Sequence, residues 1–222
     1  MSGFDVDVGA GNVAALVDDA TQPRAVLTLA HGAGADMHHG FLVGLAARLA
    51  ARGITCVRHQ FPYTQGQRKR IDPKPLLLAT IRAVALAVGG RWPTLPLFAG
   101  GKSMGGRMAT LAAAGSPLQD VRGIVLVGFP LHPRGEPSTE RATHLPQIDV
   151  PILFLHGTRD ELGSIELLRT IIPPTGRLHV IEHADHGFAV LRRSGRTGDD
   201  VMTELASRTR AFVDDVIQAP AT

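Results

Sequence analysis

The chain of 222 residues is 44% hydrophobic and 19% charged, with a formal net charge of +3. This length suits one domain spanning residues 1–222, and no run of the sequence approaches the roughly 18 apolar residues of a membrane span. Residues 1–12 read MSGFDVDVGAGN, and their acidic side chains and lack of an apolar core exclude a secretory signal. We therefore expect a cytoplasmic protein that does not enter the membrane.

Cysteine and basic residues narrow the possible classes of protein. The single cysteine, Cys56, excludes an internal disulfide and a cysteine-based zinc cluster, and its apolar neighbours predict an inert, buried thiol. Basic residues are scattered except for the cluster of Arg68, Lys69 and Arg70. Because no aromatic residues are interleaved with them, we interpret this cluster as solvated loop surface and expect no nucleic-acid partner.

Short apolar runs alternate with longer amphipathic or alanine-rich stretches along the chain. The runs predict strands at residues 13–17, 25–30, 54–59, 95–99, 123–127, 151–156 and 178–182. The stretches between them predict helices at residues 40–52, 73–88, 104–115, 164–171 and 200–218. This order is typical of an α/β fold, in which crossover helices pack on a mostly parallel sheet.

Residues 101–105 read Gly-Lys-Ser-Met-Gly, between the predicted strand 95–99 and the predicted helix 104–115. This G-x-S-x-G pattern is typical of a nucleophile elbow, a sharp strand-to-helix turn that projects a serine above the sheet. The same letters could end a phosphate-binding loop, but that loop requires glycine where the chain has Pro96. We therefore predict that Ser103 is a nucleophile.

A serine nucleophile needs a base beside it and an acid that orients the base. Asp160 follows the strand predicted at 151–156 and His186 follows the one at 178–182, which gives the chain order Ser, Asp, His. Because the carboxyl ends of parallel strands meet at one edge of a sheet, we expect Ser103, Asp160 and His186 to converge. Taken singly, Asp160 could merely cap the following helix, and His186 could be an ordinary loop histidine.

Acyl transfer also needs N–H donors for the negative oxygen of its tetrahedral intermediate. In the predicted arrangement Met104, the residue after the nucleophile, supplies one donor. Ala33, in the loop after the strand 25–30, supplies the other, with Gly34 as the next choice. We expect His31 to hold this loop by packing or hydrogen bonding. A purely structural turn is the alternative.

Asp36, His38 and His39 combine a carboxylate with two imidazoles in a short stretch, which suggests a metal site. No further ligands with metal spacing accompany them, and a serine mechanism needs no metal. We therefore predict no metal and no cofactor. Helix capping by Asp36, or hydrogen bonding at the rim of the site, is the preferred interpretation.

Five segments together carry a family resemblance: HGAGADMHH (31–39), FPYTQGQRKRIDP (61–73), GGKSMGGRMA (100–109), HGTRDELG (156–163) and HADHGF (183–188). The chain resembles small, lid-poor α/β-hydrolases of the dienelactone-hydrolase-like superfamily, in particular a subgroup with testis-expressed and chromatin-complex relatives. The resemblance implies the α/β-hydrolase fold, with a mostly parallel central sheet, flanking helices and a minimal lid, and the triad Ser103, Asp160 and His186. Dienelactone hydrolases proper carry cysteine where this chain has Ser103, so we do not expect their lactone hydrolysis.

Many α/β-hydrolases insert a lid at the point of the sheet where this chain has residues 129–149. About twenty residues are too few for a lid of several packed helices, so we expect a short lid-like insertion and a rather open cleft. Such a cleft suits small acyl esters, or an acyl group presented on a larger molecule. The candidate substrate-binding residues, whose aromatic members could equally belong to the core, are Gly34, Phe61, Tyr63, Phe129 and His132.

These observations predict a serine hydrolase that cleaves carboxylic ester bonds of a small-molecule acyl substrate through an acyl-enzyme. Thioesterase and peptidase activities are alternatives, because the same triad serves every acyl transfer. A non-catalytic protein-interaction module on the same fold is the alternative from another class. The sequence does not indicate an oligomeric state.

Overall fold

Buried apolar strands form the centre of the protein. The computed structural model describes residues 2–219 and contains the strands β1 (Ser2–Asp7), β2 (Asn12–Asp18), β3 (Ala25–Ala30), β4 (Ile54–His59), β5 (Leu97–Lys102), β6 (Val121–Val127), β7 (Ile152–Gly157) and β8 (Gly176–Ile181). They form one sheet in the order β1-β2-β4-β3-β5-β6-β7-β8. β2 pairs antiparallel with β1 and β4, and all other pairings are parallel.

Helices cover both faces of this sheet. Within residues 2–219 they are α1 (Gly40–Ala50), α2 (Pro62–Gln65), α3 (Lys74–Arg91), α4 (Met104–Gly115), α5 (Ile165–Ile171) and α6 (Gly198–Gln218). α3 and α4 bury one face of the central strands, and α1 and α6 bury the other. Continuous apolar strands are the pattern expected where helices cover both faces. None of these helices is long and apolar enough to cross a lipid bilayer.

The predicted architecture, a mostly parallel sheet flanked by helices, is confirmed. β1 and the single-turn helix α2 were not predicted from the sequence. β1 alternates apolar and acidic or small residues and pairs only with β2 at the edge of the sheet, so it lacks the continuous apolar run of the central strands. The strand predicted at 95–99 lies further along the chain, because β5 continues through Gly100 and Gly101.

The segment 129–149, between β6 and β7, forms no helical lid. It contains two short 3-10 turns, Glu140–Ala142 and Leu145–Gln147. Ala142 and Leu145 are buried in the core on the same side of the sheet as α4. The segment therefore packs on the body of the protein, and the prediction of a minimal lid is confirmed.

β4 carries polar side chains into the core. Cys56 is fully buried, and burial raises the pKa of its thiol, which fits the expected inert cysteine. Burial also lowers the pKa of His59 to about 4, so this imidazole is neutral at pH 7. The buried Arg58 guanidinium pairs with Asp18 of β2, with Nε and Oδ2 2.7 Å apart. This ion pair joins β4 to its antiparallel neighbour.

β5 and β6 approach each other closely at Gly100. A Cβ atom at Gly100 would lie 2.1 Å from the carbonyl oxygen of Val125, far inside van der Waals contact. Even a methyl group therefore fits there only if the two central strands move apart.

Replacing Gly100 with alanine should destabilise the protein by about 2–3 kcal/mol or more, because the methyl group overpacks the centre of the sheet. Gly90 provides the matched control: it lies near the end of α3 with nothing within 4 Å of its Cβ position. Gly90→Ala should stabilise the protein by up to about 1 kcal/mol, since alanine is the better helix former. Urea unfolding measures both changes, and equal stability of the two variants would contradict the close approach.

Candidate active site

Ser103 lies at the turn between β5 and α4. Its backbone has φ 51° and ψ −116°, a conformation that residues other than glycine rarely adopt. Glycines on both sides of the serine allow this turn, because a Cβ at Gly101 or Gly105 would lie 2.6 Å or 2.5 Å from the carbonyl oxygen of Ala30. Helix α4 therefore begins directly against the carboxyl end of β3, in the geometry predicted for a nucleophile elbow.

Three side chains that are far apart in the sequence form a continuous line of hydrogen bonds. The Ser103 hydroxyl donates to Nε2 of His186 over 2.9 Å, and Nδ1 of His186 donates to Oδ2 of Asp160 over 2.7 Å. Ser103 follows β5, Asp160 follows β7 and His186 follows β8. Three parallel strands thus each supply one member at their carboxyl ends. A hydroxyl, an imidazole and a carboxylate linked in this order can move the serine proton to the imidazole.

Asp160 is buried but is held in its charged form. Burial raises the pKa of this carboxyl group, but the hydrogen bond from His186, the adjacent His156 and the N–H of Leu162 outweigh burial and lower it. The Leu162 N–H donates to Oδ1 over 2.8 Å, which leaves Oδ2 for His186. Asp160 does not cap the following helix, because the N-cap of α5 is Ser164.

His156 is a buried member of this cluster that the sequence analysis did not single out. Its Nε2–H donates to the carbonyl oxygen of Gly163 over 2.7 Å, and the same nitrogen lies 3.4 Å from Oδ2 of Asp160. Burial lowers the pKa of His156 more than Asp160 raises it. The imidazole is therefore neutral at pH 7 and packs beside the carboxylate without neutralising its charge.

Lys102 connects the elbow to the loop that carries His186, and the sequence analysis missed this contact. Its Nζ donates to the backbone carbonyl of His186 over 2.7 Å and lies 5.3 Å from the centre of the Phe188 ring. Burial lowers the pKa of Lys102 to about 8, against the opposing effects of Asp160 and Asp185. The sequence feature that could have predicted this contact is the lysine at the second position of G-x-S-x-G, directly before the serine.

The loop after β3 lies against the elbow. A Cβ at Gly32 would lie 3.5 Å from Cβ of Ser103. His31 is fully buried: its Nδ1 donates to the carbonyl of Gly32 over 2.8 Å, and its Nε2 accepts from the N–H of Phe61 over 3.3 Å. His31 therefore fixes the loop to the segment that precedes α2, as expected from the sequence.

The two expected N–H donors, Ala33 and Met104, lie on different segments of the chain. Ala33 follows Gly32 in the loop after β3 and is exposed, and the next residue, Gly34, has φ 72°. Met104 is the first residue of α4, whose N-terminus has no side-chain cap. N–H groups at an uncapped helix start have no partner within the helix and can bind a negative oxygen.

Two of the expected substrate-binding residues lie in the core instead. Phe61 and Phe129 are 0% and 1% exposed, so neither presents surface to a substrate, and that expectation is wrong for both. Each lies two residues after the end of a strand, and its ring belongs to the buried core. Gly34 and Tyr63 line a surface cavity of about 550 Å³, and His132 lines a second cavity of the same volume.

The stretch Asp36 to His39 organises the turn before α1. Oδ1 of Asp36 accepts from the N–H of His38 over 2.9 Å. The N-cap of α1 is His39, whose Nδ1 accepts from the N–H of Phe41, so the expected helix cap at Asp36 is wrong. Nowhere in residues 2–219 do three or more His, Cys, Asp or Glu side chains form a group that could hold a metal ion.

A family model described as an α/β hydrolase domain matches residues 23–214. The chain belongs to this family. The matched range contains Ser103, Asp160 and His186, together with all the parallel strands of the sheet.

Solved structures share the fold of this α/β hydrolase domain. A dienelactone hydrolase from Anabaena variabilis is 20% identical, with 95% of this chain and 94% of that chain covered at a TM-score of 0.75. An α/β serine hydrolase homologue from Coxiella burnetii is 21% identical, with 93% and 96% covered at a TM-score of 0.74. XC6422 from Xanthomonas campestris, a serine hydrolase without a lid, is 21% identical, with 100% and 96% covered at a TM-score of 0.72.

These likenesses confirm the fold implied by the dienelactone-hydrolase-like resemblance. The subgroup with testis-expressed and chromatin-complex relatives stays a prediction. At about 20% identity the shared fold does not carry a substrate from one protein to another.

Lys102 provides a direct test of the burial around His186. The sequence contains three lysines, Lys69, Lys74 and Lys102. We expect the Lys102 amine to lose its proton near pH 8, because burial withdraws its ammonium group from water. NMR titration after reductive methylation with ¹³C-formaldehyde measures the midpoint, and loss of one resonance in Lys102→Met assigns it. A midpoint at the ordinary value of 10.5 would contradict the buried placement.

Proposed function

We propose that the protein is a serine hydrolase that cleaves carboxylic ester bonds through an acyl-enzyme. The observation that carries this proposal is the pair of hydrogen bonds joining Ser103, His186 and Asp160 over 2.9 Å and 2.7 Å. In this proposal Ser103 is the nucleophile, His186 the general base and acid, and Asp160 the group that orients the imidazole.

In the first half of the reaction, the Ser103 oxygen attacks the ester carbonyl while its proton moves to Nε2 of His186. Asp160 keeps the proton on Nδ1, so that Nε2 is the free acceptor, and its charge stabilises the imidazolium that forms. The negative oxygen of the tetrahedral intermediate accepts hydrogen bonds from the N–H groups of Ala33 and Met104. When the intermediate collapses, the carbon–oxygen ester bond breaks and the alcohol leaves with the proton from Nε2.

In the second half, water replaces the alcohol. His186 takes a proton from the water as its oxygen attacks the acyl-enzyme carbonyl, and returns that proton to Ser103 when the acyl bond breaks. The products are a carboxylic acid and the free serine, and no metal or cofactor takes part. The strained backbone at Ser103 supports this role, because such strain is concentrated at reactive positions.

An ester of a small molecule is the preferred substrate because the site is accessible. Residues 129–149 form no helical lid, so the site is open to a small-molecule acyl substrate. The serine hydrolases among the similar structures, one of them without a lid, agree with this chemistry. Thioesters and peptides would pass through the same intermediate, so these activities are the alternatives to ester cleavage.

Covalent labelling tests whether Ser103 is activated. A fluorophosphonate should label the wild-type protein, because it reacts only with a serine whose proton a base removes. Ser103→Ala should abolish labelling, whereas Ser116→Ala, at the exposed end of α4, should retain it. A folded wild-type protein that takes no label would reject the hydrolase proposal and favour a non-catalytic interaction module.

Hydrolysis of p-nitrophenyl esters from acetate to decanoate tests the role of Asp160. Asp160→Asn should lower kcat by about 10⁴-fold, because the amide stabilises the wrong imidazole tautomer and adds no charge. The length of acyl chain that gives the highest kcat/KM also measures the size of the acyl pocket. If Asp160→Asn keeps kcat within tenfold of the wild type, the assigned role of Asp160 is wrong.

A further inference from the structure

A cavity of about 550 Å³ opens beside the first turns of α4, within the volume range of small-molecule sites. Its lining includes Arg107, His132, Glu136, Glu140 and Arg141. Arg107 lies in the first turns of α4, where its backbone N–H donates to the backbone carbonyl of Ser103 over 3.1 Å. Arg107 thus lies one helical turn, a rise of about 6 Å, from the serine.

The Arg107 side chain lacks a partner for its charge. Its Nε is buried without a hydrogen-bond acceptor, and within residues 2–219 the guanidinium makes no ion pair. A buried donor left without an acceptor is destabilising, so a ligand that supplies the acceptor is favoured. Side chains four residues apart share one face of a helix, so Arg107 lies on the same face of α4 as Ser103.

A second half-buried cation faces the same cavity. Arg141 is likewise unpaired within the described chain. Burial, together with the charge of Arg141, lowers the pKa of Arg107. His144 provides no counter-charge: its Nε2–H donates to Thr110 over 2.8 Å, and burial lowers its pKa to about 4. His132 also adds no negative charge to the cavity, and its Nδ1 donates to the carbonyl of Pro133 over 2.7 Å.

The acidic residues of the cavity do not neutralise these arginines. Glu136 and Glu140 are exposed, and neither lies within ion-pair distance of Arg107 or Arg141. By contrast, Arg134 on the outside of the same loop is paired with Glu161. The cavity therefore presents two guanidinium groups whose best missing partner is an anion with planar, paired oxygens.

We propose that this cavity binds a carboxylate carried by the substrate, so that the protein acts on esters that also bear a free carboxylate a few carbon atoms from the scissile bond. This inference rests on the proposed serine hydrolase function and names the substrate class of that site. Arg107 makes the bidentate contact nearest to Ser103, and Arg141 adds a second positive charge. The carboxylate belongs either to the acyl chain or to the alcohol, and the two are tested separately.

Matched pairs of esters test the proposal. For the acyl side, mono-p-nitrophenyl glutarate is compared with p-nitrophenyl valerate, which has the same chain length without the charge. For the alcohol side, 4-carboxyphenyl butyrate is compared with phenyl butyrate. We expect the wild type to prefer the charged ester of one pair by about tenfold or more in kcat/KM, as a charge-assisted bidentate contact provides.

Arginine variants assign the preference to the cavity. Arg107→Gln should remove most of the preference for the charged ester, and Arg107→Lys should retain part of it, because lysine keeps the charge but loses the bidentate contact. Arg141→Gln should weaken the preference less. Arg122→Gln is the matched control, because Arg122 is exposed and lies at the amino-terminal end of β6, away from the strand ends that carry Ser103 and Asp160. This variant should leave the ratio of the two kcat/KM values unchanged. Circular dichroism confirms that each variant is folded.

Two further measurements separate failure of this proposal from failure of the hydrolase function. If the fluorophosphonate labels Ser103 but no charged ester is preferred, or Arg107→Gln keeps the preference, the carboxylate site is rejected and the hydrolase proposal stands. If Ser103 takes no label, binding of monomethyl glutarate, measured by NMR chemical-shift changes, replaces turnover as the readout. Binding that is lost in Arg107→Gln supports the site, and absence of binding to the wild type overturns it.

Discussion

The contact between the start of α4 and the carboxyl end of β3 determines the geometry of the site. Gly101 and Gly105 both bring their backbone so close to the Ala30 carbonyl that a Cβ would collide with it. This approach allows the chain to reverse within one residue, and Ser103 takes up the resulting positive φ. Because β3 also leads into the loop of Ala33, the same contact sets the distance between the serine and that loop.

The electrostatic surroundings of the serine follow from what is buried next to it. Asp160 keeps its charge because His186 and the Leu162 N–H donate to it, while the buried His156 stays neutral. Lys102 contributes a cation whose hydrogen bond goes to the backbone of His186 rather than to the carboxylate. Asp160 and His186 therefore lie among groups that fix their positions and leave the hydrogen bond between them intact.

The corrections to the sequence analysis share one physical origin. Phe61 and Phe129 follow strands, as active-site residues do, but their large apolar rings bury more favourably than they line an open surface. Arg107 was part of a recognised motif, yet only its position on α4 and the fold of residues 129–149 place it in a cavity with Arg141. Distances between such segments are not encoded in local residue patterns.

The sequence by itself determined the α/β order, seven of the strands, the elbow at Ser103 and the order of Ser103, Asp160 and His186. It could do so because apolar periodicity and glycine positions are local properties, and because parallel strands bring their carboxyl ends to one edge. Only the tertiary structure decided the edge strand β1, the burial of the aromatic rings, and the contacts of Lys102, His156 and Arg107. Each of these depends on how segments far apart in the chain pack together, because that packing decides which side chains are buried and which groups they contact.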